Sequence, residues 1–261
     1  PTSSRRQRQM CIRDSHRRFG KTVMAINHIL GRSFSNDKPN PRYAYIAPTY
    51  RQAKAVAWDY LKQFAGAIPM VRFHETELRC DLPNGARIQL LGAENPDSLR
   101  GIYLDGVVLD EMADMPESLF PEIIRPALSD RKGWACFIGT PRGHNAFYEL
   151  YMAAESQRDW HTALFRASDT DILDDEELEA ARSMMSVDQY AQEYECSWVA
   201  NVPGAVFGKE LQELQEKGRI CSVPYDPSVK VETFWDLGVG DSTVIWFVQQ
   251  VGRGCSDYRL L

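Results

Sequence analysis

Two short segments hold residues whose types and spacing suit phosphate chemistry. The first, Ser15-His16-Arg17-Arg18-Phe19-Gly20-Lys21-Thr22, resembles a phosphate-binding loop with Ser in place of its first Gly. In such a loop the backbone N–H groups that open the following helix face phosphate oxygens. Lys21 would neutralise the β and γ oxygens, and the Thr22 hydroxyl would ligate Mg²⁺. The second segment, Val107-Val108-Leu109-Asp110-Glu111, is an apolar run ending in paired acids. Asp110 is expected to hold Mg²⁺, directly or through water, and Glu111 to orient and deprotonate the water that attacks a γ-phosphate. Alone, each has a plainer reading: Gly-Lys-Thr as a surface turn, and the second as a core strand running into a solvated acidic turn. Their order, with about ninety residues between them, joins them into one expected nucleotide site. Asp114 and Glu117 read as loop or helix-start acids outside that site, and His144 as a surface or packing residue.

The elements expected to position these groups alternate between helix and strand from residue 19 onward, which favours an α/β domain around a largely parallel sheet. Val23, Ile26 and Leu30 fall on one side of a helix expected to end near Gly31, and YAYIA reads as a strand closed by Pro48. Ala53, Ala57, Tyr60, Leu61 and Phe64 recur at helical spacing and predict one apolar face. ELRCDLPNGARIQLLG reads as a hairpin turning at Asn84-Gly85. GVVLD and ACFIG read as buried strands; the first ends in the paired acids and the second in Thr140-Pro141. Ligands of open α/β sheets collect at such carboxyl ends. Two acidic stretches, DDEELEAARSMM and SVDQYAQEYE, predict helices. VETFWDLG and STVIWFVQQV predict a further hairpin.

The first fifteen residues are rich in Arg and Gln and lack apolar periodicity, so they read as a disordered or artefactual tail standing where a buried strand should precede the loop. With 261 residues and 44% apolar content, the chain can bury a substantial core. Its net charge of -6 limits any DNA-binding footprint to a local patch. Cys11, Cys80, Cys136, Cys196, Cys221 and Cys255 are scattered, with no C-x-x-C pair, and suggest neither a zinc site nor a disulfide framework. No apolar run is long enough for a membrane span and no secretory pattern appears, so a cytoplasmic setting without membrane partners is expected.

The succession RRFGKT, YIAPTYRQA, SLRGIYLDGVVLDE, FIGTPRGHNAFYELY, QEYECSWV and FWDLGVGDST resembles that of phage large terminases, over about residues 16 to 250. The resemblance implies a RecA-like P-loop ATPase sheet flanked by helices, followed by the start of an RNase H-like nuclease domain. On this reading 1–15 is the tail, 16–200 the ATPase domain, 201–228 a linker and 229–261 the truncated nuclease start. It further implies Mg²⁺-dependent ATP hydrolysis that packages double-stranded DNA into a procapsid in the bacterial host cytoplasm. The partners would be a portal protein, a small terminase subunit and further copies of the chain in a ring. Gly139, Thr140 and Pro141 match the family's coupling motif. Arg17 matches the loop arginine that stabilises developing phosphoryl charge, and Arg18 is placed beside the nucleotide with Gly20, Lys21 and Thr22. Asp236 matches the first ligand of the nuclease's divalent metal pair, with Asp241 a weaker match. The resemblance also implies a chain cut short at both ends. Two other readings stay open at this level: a different P-loop helicase or repair ATPase, and an inactive prophage-derived DNA-binding fragment.

Overall fold

Strands β6 (Gly106–Asp110) and β7 (Trp134–Gly139) are buried along their whole length, as unbroken apolar runs require of strands covered on both faces. In the computed structural model, which describes residues 10–15, 19–198, 208–237, 243–251 and 257–260, they are central in an eight-stranded sheet. The remaining strands are β1 (Met10–Ser15), β2 (Arg42–Ala47), β3 (Arg72–His74), β4 (Arg79–Asp81), β5 (Arg87–Gly92) and β8 (Trp160–Phe165). The order is β3-β4-β5-β2-β6-β7-β1-β8. The five strand pairs from β5 to β8 are parallel, and β3 and β4 add an antiparallel edge.

Helices cover both faces, so residues of one strand divide between two cores. Tyr45, Val108 and Cys136 pack under α1 (Lys21–Phe34), whereas Ile46, Leu109 and Phe137 pack on the opposite face with α5 (Ala146–Glu155) and the π-helical turn Leu119–Ile124. Gly106 is required at the start of β6, because an added Cβ would lie 2.2 Å from the Trp134 ring. A third, smaller core of Leu178, Ala181, Tyr190 and Tyr194 joins α6 (Asp175–Met184) to α7 (Val187–Glu193). Both acidic stretches are therefore helical. Ser186 closes a capping box with Gln189 at the start of the second.

Three expectations are corrected. Met10–Ser15 is not a tail but a parallel strand between β7 and β8, with Ile12 fully buried. Its sequence carries too few apolar residues to announce a strand; two flanking ladders supply what intrinsic propensity does not. α1 continues past Gly31 to Phe34, since one glycine weakens a helix without ending it when Ile29 and Leu30 hold it to the sheet. The third concerns α2 (Tyr50–Ala53) and α3 (Asp59–Ala65), which are joined by a π-helical turn, Lys54–Trp58. Ala53, Ala57 and Leu61 are buried as predicted, but Tyr60 is exposed, because the wider π-turn shifts the phase of the face.

The chain divides into two units, Pro1–Gly204 and Ala205–Leu261. The second contains α8 (Gly208–Glu216) and an antiparallel sheet of β9 (Val231–Asp236), β10 (Val244–Val251) and β11 (Asp257–Leu260). β9 and β10 form the predicted hairpin. Gln249 is buried and ties the preceding loop to β10, donating to the carbonyls of Asp226 and Val229 at 2.7 and 2.8 Å. No helix among the described residues is long and apolar enough to cross a membrane.

Candidate active site

The sheet order places β7 between the strand that precedes the loop and the strand that ends in paired acids. The loop and the acids therefore meet across the carboxyl end of β7, where Gly139 and Thr140 lie. Gly20 caps α1 in the left-handed region at φ 83°, a conformation glycine adopts without steric cost. Lys21, the first residue of the helix, extends its ammonium over this edge and donates to the Gly139 carbonyl at 2.7 Å and to Thr140 Oγ1 at 3.3 Å.

Asp110 ends β6 and is only 6% exposed. Its carboxylate accepts a hydrogen bond from the Tyr45 hydroxyl. Burial pushes the Asp110 carboxyl above its usual range, against the opposing pull of Tyr45, the Lys21 charge and the nearby Glu111 N–H. Burial, then the charge of Asp110, pushes Glu111 in the same direction, while Lys21 and the Thr140 N–H oppose the shift. Thr140 thus meets the cation of the loop through its hydroxyl.

Glu111 itself lies at φ 55°, ψ 50°, left-handed backbone that a residue with a side chain occupies at a cost of about 1–2 kcal/mol. It separates β6 from a 3-10 turn, Met112–Asp114. Gly139 lies against this bend: a Cβ there would stand 3.5 Å from Glu111 Cα.

Gly20, Lys21, Thr22, Glu111 and Thr140 line one cavity of about 580 Å³, a volume typical of small-molecule sites, whereas Asp110 and Gly139 lie behind its wall. Other residues line it without having been expected there. Asp114, set aside as a loop acid, forms part of the wall and pairs with Arg142 of the segment after β7. Gln192 and Glu193 at the end of α7 contribute as well. Arg142 could have been found from its place in Gly-Thr-Pro-Arg-Gly; the α7 residues carry no local signal. His144 stacks on Tyr148 at 4.1 Å, a packing role as expected. Pro141 follows Thr140 and is buried. Arg17, Arg18 and Asp241 lie outside the described residues. Asp236 is exposed at the end of β9, and no group of three or more His, Cys, Asp or Glu able to hold a metal occurs among the described residues.

Against this geometry, the family described as terminase large subunit, T4likevirus-type, N-terminal, matches residues 17–213. The chain belongs to the large terminase family. A large terminase subunit of Thermus virus P23-45 is 31% identical over 170 residues, covering 58% of this chain and 34% of that protein. The chain thus spans about a third of that relative's length. Among solved structures, the large terminase ATPase domain of Thermus phage P74-26 superposes with a TM-score of 0.64 at 26% identity, covering 74% of this chain and 90% of the other. The large terminase of a thermophilic bacteriophage, solved in complex with ADP, gives a TM-score of 0.64 at 19% identity over 94% of this chain and 60% of that one, a likeness of fold. The family's ATPase-domain architecture, a parallel-rich sheet flanked by helices, is the architecture of the first unit.

Proposed function

We propose that the chain carries the ATP-hydrolysing motor of a phage large terminase, whose turnover drives double-stranded DNA into a procapsid. The observation that carries this reading is the convergence of Lys21, Glu111 and Thr140 on one cavity at the carboxyl edge of the sheet. The solved relatives include a terminase ATPase domain and a terminase holding ADP.

In this reading the α1 N-terminus, opened by Gly20, presents its N–H groups to the phosphates, and Lys21 offsets the β and γ charge. Glu111 takes a proton from a water molecule as the water oxygen bonds to the γ-phosphorus; the bond to the bridging oxygen breaks and ADP leaves with its electrons. A carboxyl whose pKa is raised by burial is the better base for this. Arg17 steadies the charge that develops, Arg18 lies beside the nucleotide, and Gly139, Thr140 and Pro141 relay its state to the DNA-moving parts. Thr22 and Asp110 form an all-oxygen donor pair that suits Mg²⁺, which takes few protein oxygens and shares the rest with phosphates and water. When bound, Mg²⁺ neutralises phosphate charge.

The domain limits follow the same reading, with the ATPase at 16–200 extended back to include β1, a linker to 228 and the nuclease start at 229–261. Asp236 is the first ligand of that nuclease's metal pair. The partners are a portal protein, a small terminase subunit and further copies in a ring, in the host cytoplasm. The deciding experiment measures Mg²⁺-dependent ATP hydrolysis by this chain and by Glu111→Gln, with and without double-stranded DNA. The substitution is expected to slow turnover by about 10²–10⁴ while ADP binding persists. Equal rates would remove Glu111 from the mechanism; no hydrolysis by either protein would remove the motor.

A further inference from the structure

Tyr45 belongs to none of the segments from which chemistry was expected, yet its hydroxyl holds Asp110, one of the two groups assigned to the cation. It lies in the middle of β2, opposite Val108 of β6, on the face covered by α1, and its side chain is fully buried. From there the ring reaches along the sheet to the carboxyl end of β6, where the phenol donates to Asp110 Oδ2. A hydroxyl has one proton to give. The phenol gives it to Asp110, so the carboxylate is the acceptor and Oδ2 is tied to the buried ring.

That bond has a chemical result. A carboxylate held through Oδ2 by a buried ring keeps one plane, and as an acceptor it can serve a hard cation. We propose that Tyr45 is a positioning residue of the cation site, setting the orientation of the Asp110 carboxylate before Mg²⁺–nucleotide arrives. This rests on the assignment of Asp110 to Mg²⁺ made above. Outer groups that orient metal ligands typically contribute about 10–100-fold to metal affinity.

The test is Tyr45→Phe, which keeps the ring in its core and removes only the hydroxyl, compared with Asp110→Asn and the unaltered chain. Mn²⁺ binding to the ADP-loaded proteins is read by electron paramagnetic resonance, and the Mg²⁺ dependence of hydrolysis in parallel. Thermal midpoints and ADP binding in EDTA are read as controls. Tyr45→Phe is expected to weaken Mn²⁺ binding, and to raise the Mg²⁺ needed for half-maximal rate, by about 10-fold or more. ADP binding in EDTA is expected to remain unchanged. A purely structural tyrosine would lower the thermal midpoint and leave the Mn²⁺ affinity where it was, which overturns the proposal. If Asp110→Asn shifts Mn²⁺ binding and Tyr45→Phe does not, the proposal alone fails. If neither shifts it, the assignment of Asp110 to the cation fails first.

Discussion

Asp105 shows what a charge does in this fold when chemistry is not its task. It precedes β6 at the amino edge of the sheet, and its side chain is almost fully buried. Its carboxylate accepts from the Arg42 N–H at 3.0 Å, from Arg131 at 3.1 Å and from Lys38 at 3.2 Å. Burial by itself would raise this carboxyl; the three donors outweigh it and hold the group below its ordinary range. Depression of a folded-state pKa means stability that is present above the unfolded value near 4 and lost as pH falls through the folded one. Asp105→Asn is therefore expected to lower unfolding free energy by on the order of 1–3 kcal/mol at pH 7. Urea titrations at pH 7 and pH 3 should find the gap between the two proteins narrowing at the lower pH. At the opposite edge of the same strand, Asp110 and Glu111 are displaced upward instead, because burial there is met by fewer donors and Glu111 also faces the charge of Asp110.

Among the elements, β1 best separates what could be read from the residues from what could not. β6 and β7 were legible because a parallel strand covered on both faces must be apolar throughout, and both end in residues that mark a site. The hairpin of β4 and β5 was legible from Asn84-Gly85, where Gly85 takes φ 84°. β1 was not: Met10, Cys11 and Ile12 are followed by Arg13, Asp14 and Ser15, and nothing in that run requires a strand. It becomes one through its pairing with β7 and β8. The same limit hid Tyr45 and the end of α7 from the site, since their roles depend on which strands and helices become neighbours. β1 lies between two partners, so its packing is expected to matter more than its composition suggests. Ile12→Ala should cost about 2–5 kcal/mol, the range for emptying a buried aliphatic site. Chemical denaturation would measure it, and a loss below about 0.5 kcal/mol, the size of a surface change, would place β1 outside the cooperative core.

At the scale of the whole molecule, the division at Gly204 leaves every described residue of the cavity in the first unit, together with all eight strands of its sheet. A chain ending at Gly204 is therefore expected to fold cooperatively and to bind ADP as the longer chain does. Calorimetry on the two proteins would check this, and an unfolded short chain would show that the second unit is needed for the first.

The left-handed backbone of Glu111 has a consequence for how such a sequence changes over generations. A carboxylate is held where the peptide conformation itself prefers glycine or asparagine, and in a buried setting that disfavours its charge. On the proposed mechanism, selection for hydrolysis holds the glutamate in place. In a lineage freed from that selection, substitutions to Gly or Asn at this position are downhill in folding energy. The first inactive descendants should then be better folded and more abundant than their ancestor, so that a well-expressed protein is no sign of a working one.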